Sequence, residues 1–236
     1  MTLNIAHRGA RSLAPENTLA AARKAFEVGA DFWEVDVAVT ADEVLILFHD
    51  DSLARTTDVE ARFPDRAPWT FTTFTSAELS SLDAGSWFLE TDPFGQIAAG
   101  KVPAHEQAAF RSEKIPTLRE ALLFTQARNR RINIELKRLP PPMDRFPVVD
   151  RVLSLIEDMA IDPGQFVISS FNHDWLRRVR EHNPNITIQA LIGLSQTDPQ
   201  DWGSLEFEIY NARCTLTDED QVRNLEDIDT GIEHID

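Results

Sequence analysis

Glu34 and Asp36 stand two residues apart in the run FWEVDVAVT, and Glu135 stands in RINIELK. Alternate side chains of an extended strand share a face. Phe32, Glu34 and Asp36 therefore point one way and Trp33, Val35 and Val37 the other, while Asn133, Glu135 and Lys137 oppose Ile132, Ile134 and Leu136. Two carboxylates at this spacing are roughly 6.5 Å apart and repel by roughly 2.5 kcal/mol at an effective dielectric of about 20, so something cationic should sit between them. Three carboxylates without a thiolate form an all-oxygen set, suited to a hard divalent cation such as Mg²⁺ or Ca²⁺ rather than zinc. The competing reading is a structural ion network in which Glu34, Asp36 and Glu135 pair with Arg8 and Lys137.

His7 in AHRGA and His49 in FHDD each precede a turn at the end of an apolar run. Beside a divalent ion, two imidazoles can pass protons to and from phosphate oxygens, one as base and one as acid. Either histidine alone reads more readily as an ordinary partly buried residue. Arg8 can fork onto a phosphate, and Lys137 can neutralise one as a point charge. So few cations suit a small phosphate ester.

Positioning these groups requires strands that end at a common rim. Apolar, β-branched runs occur at 3–9, 32–40, 44–50, 131–137, 166–171, 187–193 and, more weakly, 206–210. Helical spacing fills 17–28, 117–129, 147–160, 173–182 and 217–226. Asn17, Thr117, Asn172 and Thr217, or their neighbours, are candidate caps, and Gly29 sits where a helix should stop. Such alternation suits a TIM-type (β/α)8 barrel or an open doubly wound sheet. The nine glycines form neither GxGxxG nor GxxxxGK[ST], which favours the barrel. Residues 51–110 interrupt the alternation with Pro64, Pro68, Pro93 and Pro103, but also hold Phe63, Trp69, Phe71, Phe74, Trp87, Phe88, Phe94 and Phe110. That aromatic density implies a packed cap inserted after the third strand rather than a linker. The expectation is a single domain over 1–236 with this insertion.

The chain has 236 residues, 42 % of them hydrophobic and 26 % charged, and a formal charge of −16. A large core is expected, and nucleic acid is not the expected ligand, because the overall field repels polyanions. With Cys214 as the one cysteine, no intrachain disulfide forms and no Cys cluster holds a soft metal. No run of about 18 apolar residues occurs and the first residues do not read as a leader, so a soluble, cytoplasmic protein is expected, without stable membrane insertion. No GxSxG elbow supports a serine hydrolase.

The segment IAHRGARSLAPENTLAAARKAFEVGADFWEVDVAVTADEVLILFHDD resembles the start of a glycerophosphodiester phosphodiesterase. LDAGSWF at 82–88, IPTLREAL at 115–122, NIELK at 133–137 and ISSFNHDWL at 168–176 come in that family's order and approximate spacing. The resemblance implies a TIM-type barrel that uses a divalent cation to cleave glycerophosphodiesters into sn-glycerol 3-phosphate and an alcohol. It matches the catalytic histidines to His7 and His49, the metal carboxylates to Glu34, Asp36 and Glu135, and the phosphate-side cations to Arg8 and Lys137. Whether water or the substrate's own 2-hydroxyl attacks stays open. Glu16, Asn17 and Thr18 match a signature at the first helix, read mainly as structural. Ser169, Ser170 and Phe171 either line the pocket or pack the strand. Trp87 and Phe88 are read as cap packing, or as contacts to glycerol or the leaving group.

The resemblance weakens after residue 193, where a late strand with a WTVN-like ending is absent, so the closing strand is expected to be shortened or missing. Three outcomes are open: GIEHID at 231–236 substitutes for it, an oligomer covers the gap, or the barrel is defective. In the last case the chain would be a barrel that binds a phosphate ligand or a protein without catalysis.

Overall fold

The computed structural model describes residues 3–193, 207–212 and 231–232. Its strands are β1 (Ile5–Ala6), β2 (Phe32–Val39), β3 (Leu45–Leu47), β4 (Arg131–Leu136), β5 (Phe166–Ser170), β6 (Thr187–Ile192), β7 (Ile209–Ala212) and β8 (Gly231–Ile232). They form one sheet in the order β1-β2-β4-β5-β6-β7-β8, parallel throughout, with β3 added antiparallel to β2. This is TIM-barrel topology built from βα units, with the shortened closing element that the weak tail predicted. GIEHID does contribute a strand: Gly231 and Ile232 pair with Ile209 and Tyr210 of β7. Among the described residues β8 does not pair back onto β1.

The connecting helices are α1 (Leu19–Glu27), α6 (Leu118–Gln126), α7 (Val148–Asp158) and α8 (His173–His182); α2 (Val59–Arg62), α3 (Ser76–Ser81), α4 (Ser86–Thr91) and α5 (Ala104–Phe110) belong to the insertion. Local chemistry explains their ends. Thr18 caps α1 by accepting from the Ala21 amide, and Gly29 comes after its last turn at φ +90°. Thr117 and Glu120 form a reciprocal capping box on α6, and Asn172 caps α8. The helix expected at 217–226, with its Thr217 cap, lies outside the described residues.

Two expectations need correction. The first strand spans only Ile5–Ala6, because the chain turns as soon as it reaches the rim. The third is not a barrel strand over 44–50. It is a three-residue arm of a hairpin, with Val39 opposite Leu45 and Val37 opposite Leu47. Glu43, at φ +64° in the ADE turn, lets the chain reverse at once rather than cross over through a helix.

The outward face of β2 meets helices, as the alternation requires: Trp33 is wholly buried, and its indole N–H donates to Thr125 of α6 at 2.9 Å. The insertion divides between two packing clusters. Leu53, Val59, Phe71, Phe74, Leu79 and Leu82 join the main core, whereas Phe88, Val102 and Phe110 pack with Ala14, Ala20 and Ala21 beside α1. Phe88 stacks edge-on against both Trp87 and Phe110. The aromatic density of this segment is therefore packing density.

Candidate active site

The chain leaves β1 through a tight turn in which Arg8 (φ +57°) and Gly9 (φ +76°) are left-handed and the Gly9 amide donates to the Ala6 carbonyl. A Cβ on Gly9 would come within 2.6 Å of the Ala21 side chain and 2.7 Å of its backbone, so only glycine lets the turn lie against α1. The turn delivers the Arg8 amide to Glu34 Oε2 at 2.8 Å and the His7 ring to the same oxygen at 3.8 Å.

Inside the sheet, Glu34, Asp36 and Glu135 each offer an oxygen, and these atoms lie within 4.8 Å of one another. Asp36 and Glu135 are register partners on β2 and β4. The inward alternation read from the sequence thus brings the three acids together. Asp36 carries most of the compensating contacts. Asn17, itself at φ +54°, donates from Nδ2 to Asp36 Oδ2 at 2.8 Å and accepts the Asp36 amide at 3.2 Å. Arg8 Nε lies 3.3 Å from Oδ2, and Lys137 Nζ 3.2 Å from Oδ1.

His49 reaches the rim because the β2–β3 hairpin folds back: the Phe48 amide donates to the Asp36 carbonyl at 3.0 Å. A circuit of charge leads on from it. His49 Nδ1 is 2.6 Å from Asp50 Oδ1, and Arg55 donates to Asp50 Oδ2 and to both oxygens of Glu16. Glu16 also accepts from Arg8 at 3.0 Å; Arg8 pairs with Asp36, Asp36 with Lys137, and Lys137 Nζ returns to the His49 carbonyl at 3.1 Å. His7, Arg8, Glu34, His49, Glu135 and Lys137 all line one cavity at the C-terminal ends of the strands. The region beyond β5 shares it: Ser169 and Ser170 are buried and Phe171 is 40 % exposed at its edge.

Burial and the adjacent Asp36 and Glu135 charges push the Glu34 carboxyl well above the usual carboxylate range. Burial and Asp36 raise Glu135 to about 7. Asp36 goes the other way: burial opposes its charge, but Lys137, His49 and Arg8 hold it ionised. Burial, with Arg8 and Arg11 close by, lowers His7 to about 4, so its imidazole is neutral near pH 7.

Both readings of the acids therefore hold in part. Asp36 is paired in an ion network with Arg8 and Lys137. Glu34 Oε1 and the Glu135 carboxylate are not satisfied by it: the first is buried without a hydrogen bond among the described residues, Glu135 is charged only at a cost, and Asp36 Oδ1 meets Lys137 as an ion pair without a hydrogen bond. Converging hard oxygen donors with unmet demand fit a divalent cation, whose identity the donors do not decide.

Sequence reasoning passed over three residues. Asp50 orients His49, Arg55 ties Asp50 to Glu16, and Arg11 lines the cavity. Asp50 was visible as the neighbour of His49 in HDD; Arg55 has no signal of its own, being defined by a partner 39 residues away. Trp87 and Phe88 lie in the cap packing, with Arg55 over the Trp87 ring.

Among curated proteins, the chain is 43 % identical over 136 residues to the glycerophosphoinositol inositolphosphodiesterase of Mus musculus, a match covering 58 % of this chain and 25 % of that protein. The chain thus spans about a quarter of that relative's length. It is 34 % identical over 212 residues to a glycerophosphodiester phosphodiesterase of Caldanaerobacter subterraneus, covering 89 % of this chain and 74 % of the relative. Among solved structures, it superposes on an Oleispira antarctica phosphodiesterase in complex with the product sn-glycerol-3-phosphate, with a TM-score of 0.76 and 25 % identity over 100 % of this chain and 85 % of the other. Residues 7–216 match the glycerophosphoryl diester phosphodiesterase family, and the chain belongs to that family.

Proposed function

We propose that this chain hydrolyses glycerophosphodiesters to sn-glycerol 3-phosphate and an alcohol by histidine acid–base catalysis, and that residues 1–236 act as one barrel domain with an insertion at 51–110. One observation carries the reading: three carboxylates from two neighbouring strands meet two imidazoles and Lys137 at a single rim. Glu34, Asp36 and Glu135 would hold a divalent cation, Mg²⁺ or Ca²⁺, which when bound supplies Lewis-acid polarisation of the phosphoryl group.

The chain's own residues supply the rest. Arg8 and Lys137 place positive charge on the phosphate side; Lys137 projects from the strand end, and Arg8 is braced from behind by Glu16. His7, neutral near pH 7, takes the proton from the attacking oxygen. The Asp50 carboxylate accepts from His49 Nδ1–H, and a second proton, carried on Nε2, is the one that passes to the departing alkoxide as the phosphorus–oxygen bond breaks. The attacking oxygen ends on phosphorus and the leaving oxygen carries away one proton, which leaves His7 protonated and His49 one proton short; loss of a proton from His7 to solvent and uptake of one by His49 restore both before the next turnover.

The test is release of glycerol phosphate from glycerophosphocholine and glycerophosphoethanolamine with Mg²⁺ or Ca²⁺ added. Turnover that a chelator, His7→Ala and Glu34→Ala each abolish supports the reading. Folded protein that binds glycerol 3-phosphate in calorimetry but turns over neither diester with either cation would replace it with a non-catalytic binding barrel.

A further inference from the structure

Beside the acids, the inward face carries a second polar set that the proposed reaction does not use. Ser169 is the register partner of Glu135 across β4 and β5, and Gln189 the register partner of Ser169 across β5 and β6. Neighbouring strands are about 4.8 Å apart, so Glu135, Ser169 and Gln189 stand side by side at one level of the barrel. Asn133, two residues before Glu135 on the same face, donates from Nδ2 to Gln189 Oε1 at 2.7 Å.

Ser169, Asn133 and Gln189 are 1 %, 2 % and 0 % exposed. Yet Ser169 Oγ, Asn133 Oδ1 and Gln189 Nε2 have no hydrogen-bond partner among the described residues. Exchanging the oxygen and nitrogen of both amides only moves the deficit, leaving one amide donor and one acceptor unmet. Buried polar groups are normally satisfied, and a polar pit offering two to four partners holds a water. The inventory here matches one water: it can accept from Gln189 Nε2 and Ser169 Oγ, and donate to Asn133 Oδ1 and to Glu135. Ser169, Asn133 and Glu135 line the same cavity.

We infer that Ser169, Asn133 and Gln189 hold a fixed water against Glu135, and that this water sets the direction of the carboxylate and hence the affinity of the acidic site for a divalent cation. The inference rests on the cation site proposed above. The three residues are positioning residues that act through Glu135, as groups behind a metal's ligands commonly do.

Calorimetric titration of Mg²⁺ and of Ca²⁺ into the wild-type chain, Ser169→Ala and Gln189→Met tests it, alongside melting of each cation-free protein. The expected result is a Kd about tenfold weaker in both variants, with the cation-free melting temperature little changed in Ser169→Ala, which gives up only its bond to the water, and lowered in Gln189→Met, which also takes the acceptor from the Asn133 amide. A Kd within twofold of wild type in both variants overturns the inference, as does a weaker Kd in Gln189→Met alone, which reports only the lost Asn133 bond. If Ser169→Ala fails to fold, the nearly isosteric Ser169→Cys, whose S–H is a weak donor, takes its place. Wild-type protein that takes up neither cation overturns this inference and the proposed cation site together; wild-type binding with unaffected variants overturns the inference alone.

Discussion

In the proposed reaction Asp50 would govern the reacting set from outside it. Its carboxylate is within 2.6 Å of His49 Nδ1 and receives Arg55 on its other oxygen. Asp50→Asn keeps the shape but no longer dictates which ring nitrogen holds the proton. Steady-state assays should show kcat lower by about a hundredfold with KM little changed. The same residue makes a pH prediction. Burial acts to raise Asp50 and Glu16, but hydrogen bonds from His49 and Arg55 to Asp50, and from Arg55 and Arg8 to Glu16, outweigh it, so both sit below the ordinary carboxylate range. Depressed acids contribute stability that is complete above their unfolded pKa, near 4, and is lost as pH falls through the folded values. Urea midpoints should decline below about pH 4, and Glu16→Gln/Asp50→Asn should flatten that decline while lowering the plateau at pH 7. At this scale the sequence was informative about residue types and poor on partners. The gathering of His7, Glu34, Asp36, His49, Glu135 and Lys137 was legible because strand alternation and motif order mark them. The Glu16–Arg55–Asp50 chain was not, since nothing local ties position 16 to position 55.

Among the elements, the turn after β1 would bear most on the proposed chemistry, because it aims both His7 and the Arg8 amide at Glu34. Gly9→Ala must push that turn away from α1, where the added methyl meets side chain and backbone of Ala21. A destabilisation of about 2 kcal/mol is expected, with a loss of turnover larger than the unfolded fraction explains; chemical denaturation and kinetics on one preparation would separate the two. Helices were legible from their chemistry of starting and stopping: the 173–182 expectation coincides with α8, and Thr117 and Asn172 cap as read. Strands were legible as apolar runs but not by direction. VLILFHD looks like any other barrel strand, and only the tight ADE turn before it hinted that it would pair back antiparallel on β2. The sequence therefore brought His49 to the correct rim by the wrong route.

For the whole molecule, a formal charge of −16 and an inward-facing trio of acids act in the same direction. Folded protein should bind a divalent cation that the unfolded chain does not, so Mg²⁺ or Ca²⁺ at about a hundred times Kd should add roughly 2.7 kcal/mol and raise the melting temperature by several degrees. Scanning calorimetry with cation and with chelator would measure it, and an unchanged melting temperature for Glu34→Gln in both conditions is the control expected. Among the described residues no helix is long and apolar enough to cross a membrane. The parallel sheet was readable from the βα alternation, and so was the weakness of its closure. The pairing of Gly231 and Ile232 with β7 was one of several readings the tail allowed, because a two-residue strand has no periodicity to detect.

The insertion leaves and rejoins the barrel at one place. The Leu47 amide donates to the Pro116 carbonyl at 2.9 Å, and Ile46 bridges Thr117, so the long excursion is pinched at its neck. His49 lies just past that pinch, and Asp50 and Arg55 complete its support within the next few residues. Changes of length should accordingly be tolerated in the exposed turn at 93–101, but not in the stretch that carries Val59, Phe71, Phe74, Leu79 and Leu82 into the main core, so the outer edge of the insertion is free to vary while the imidazole keeps its post.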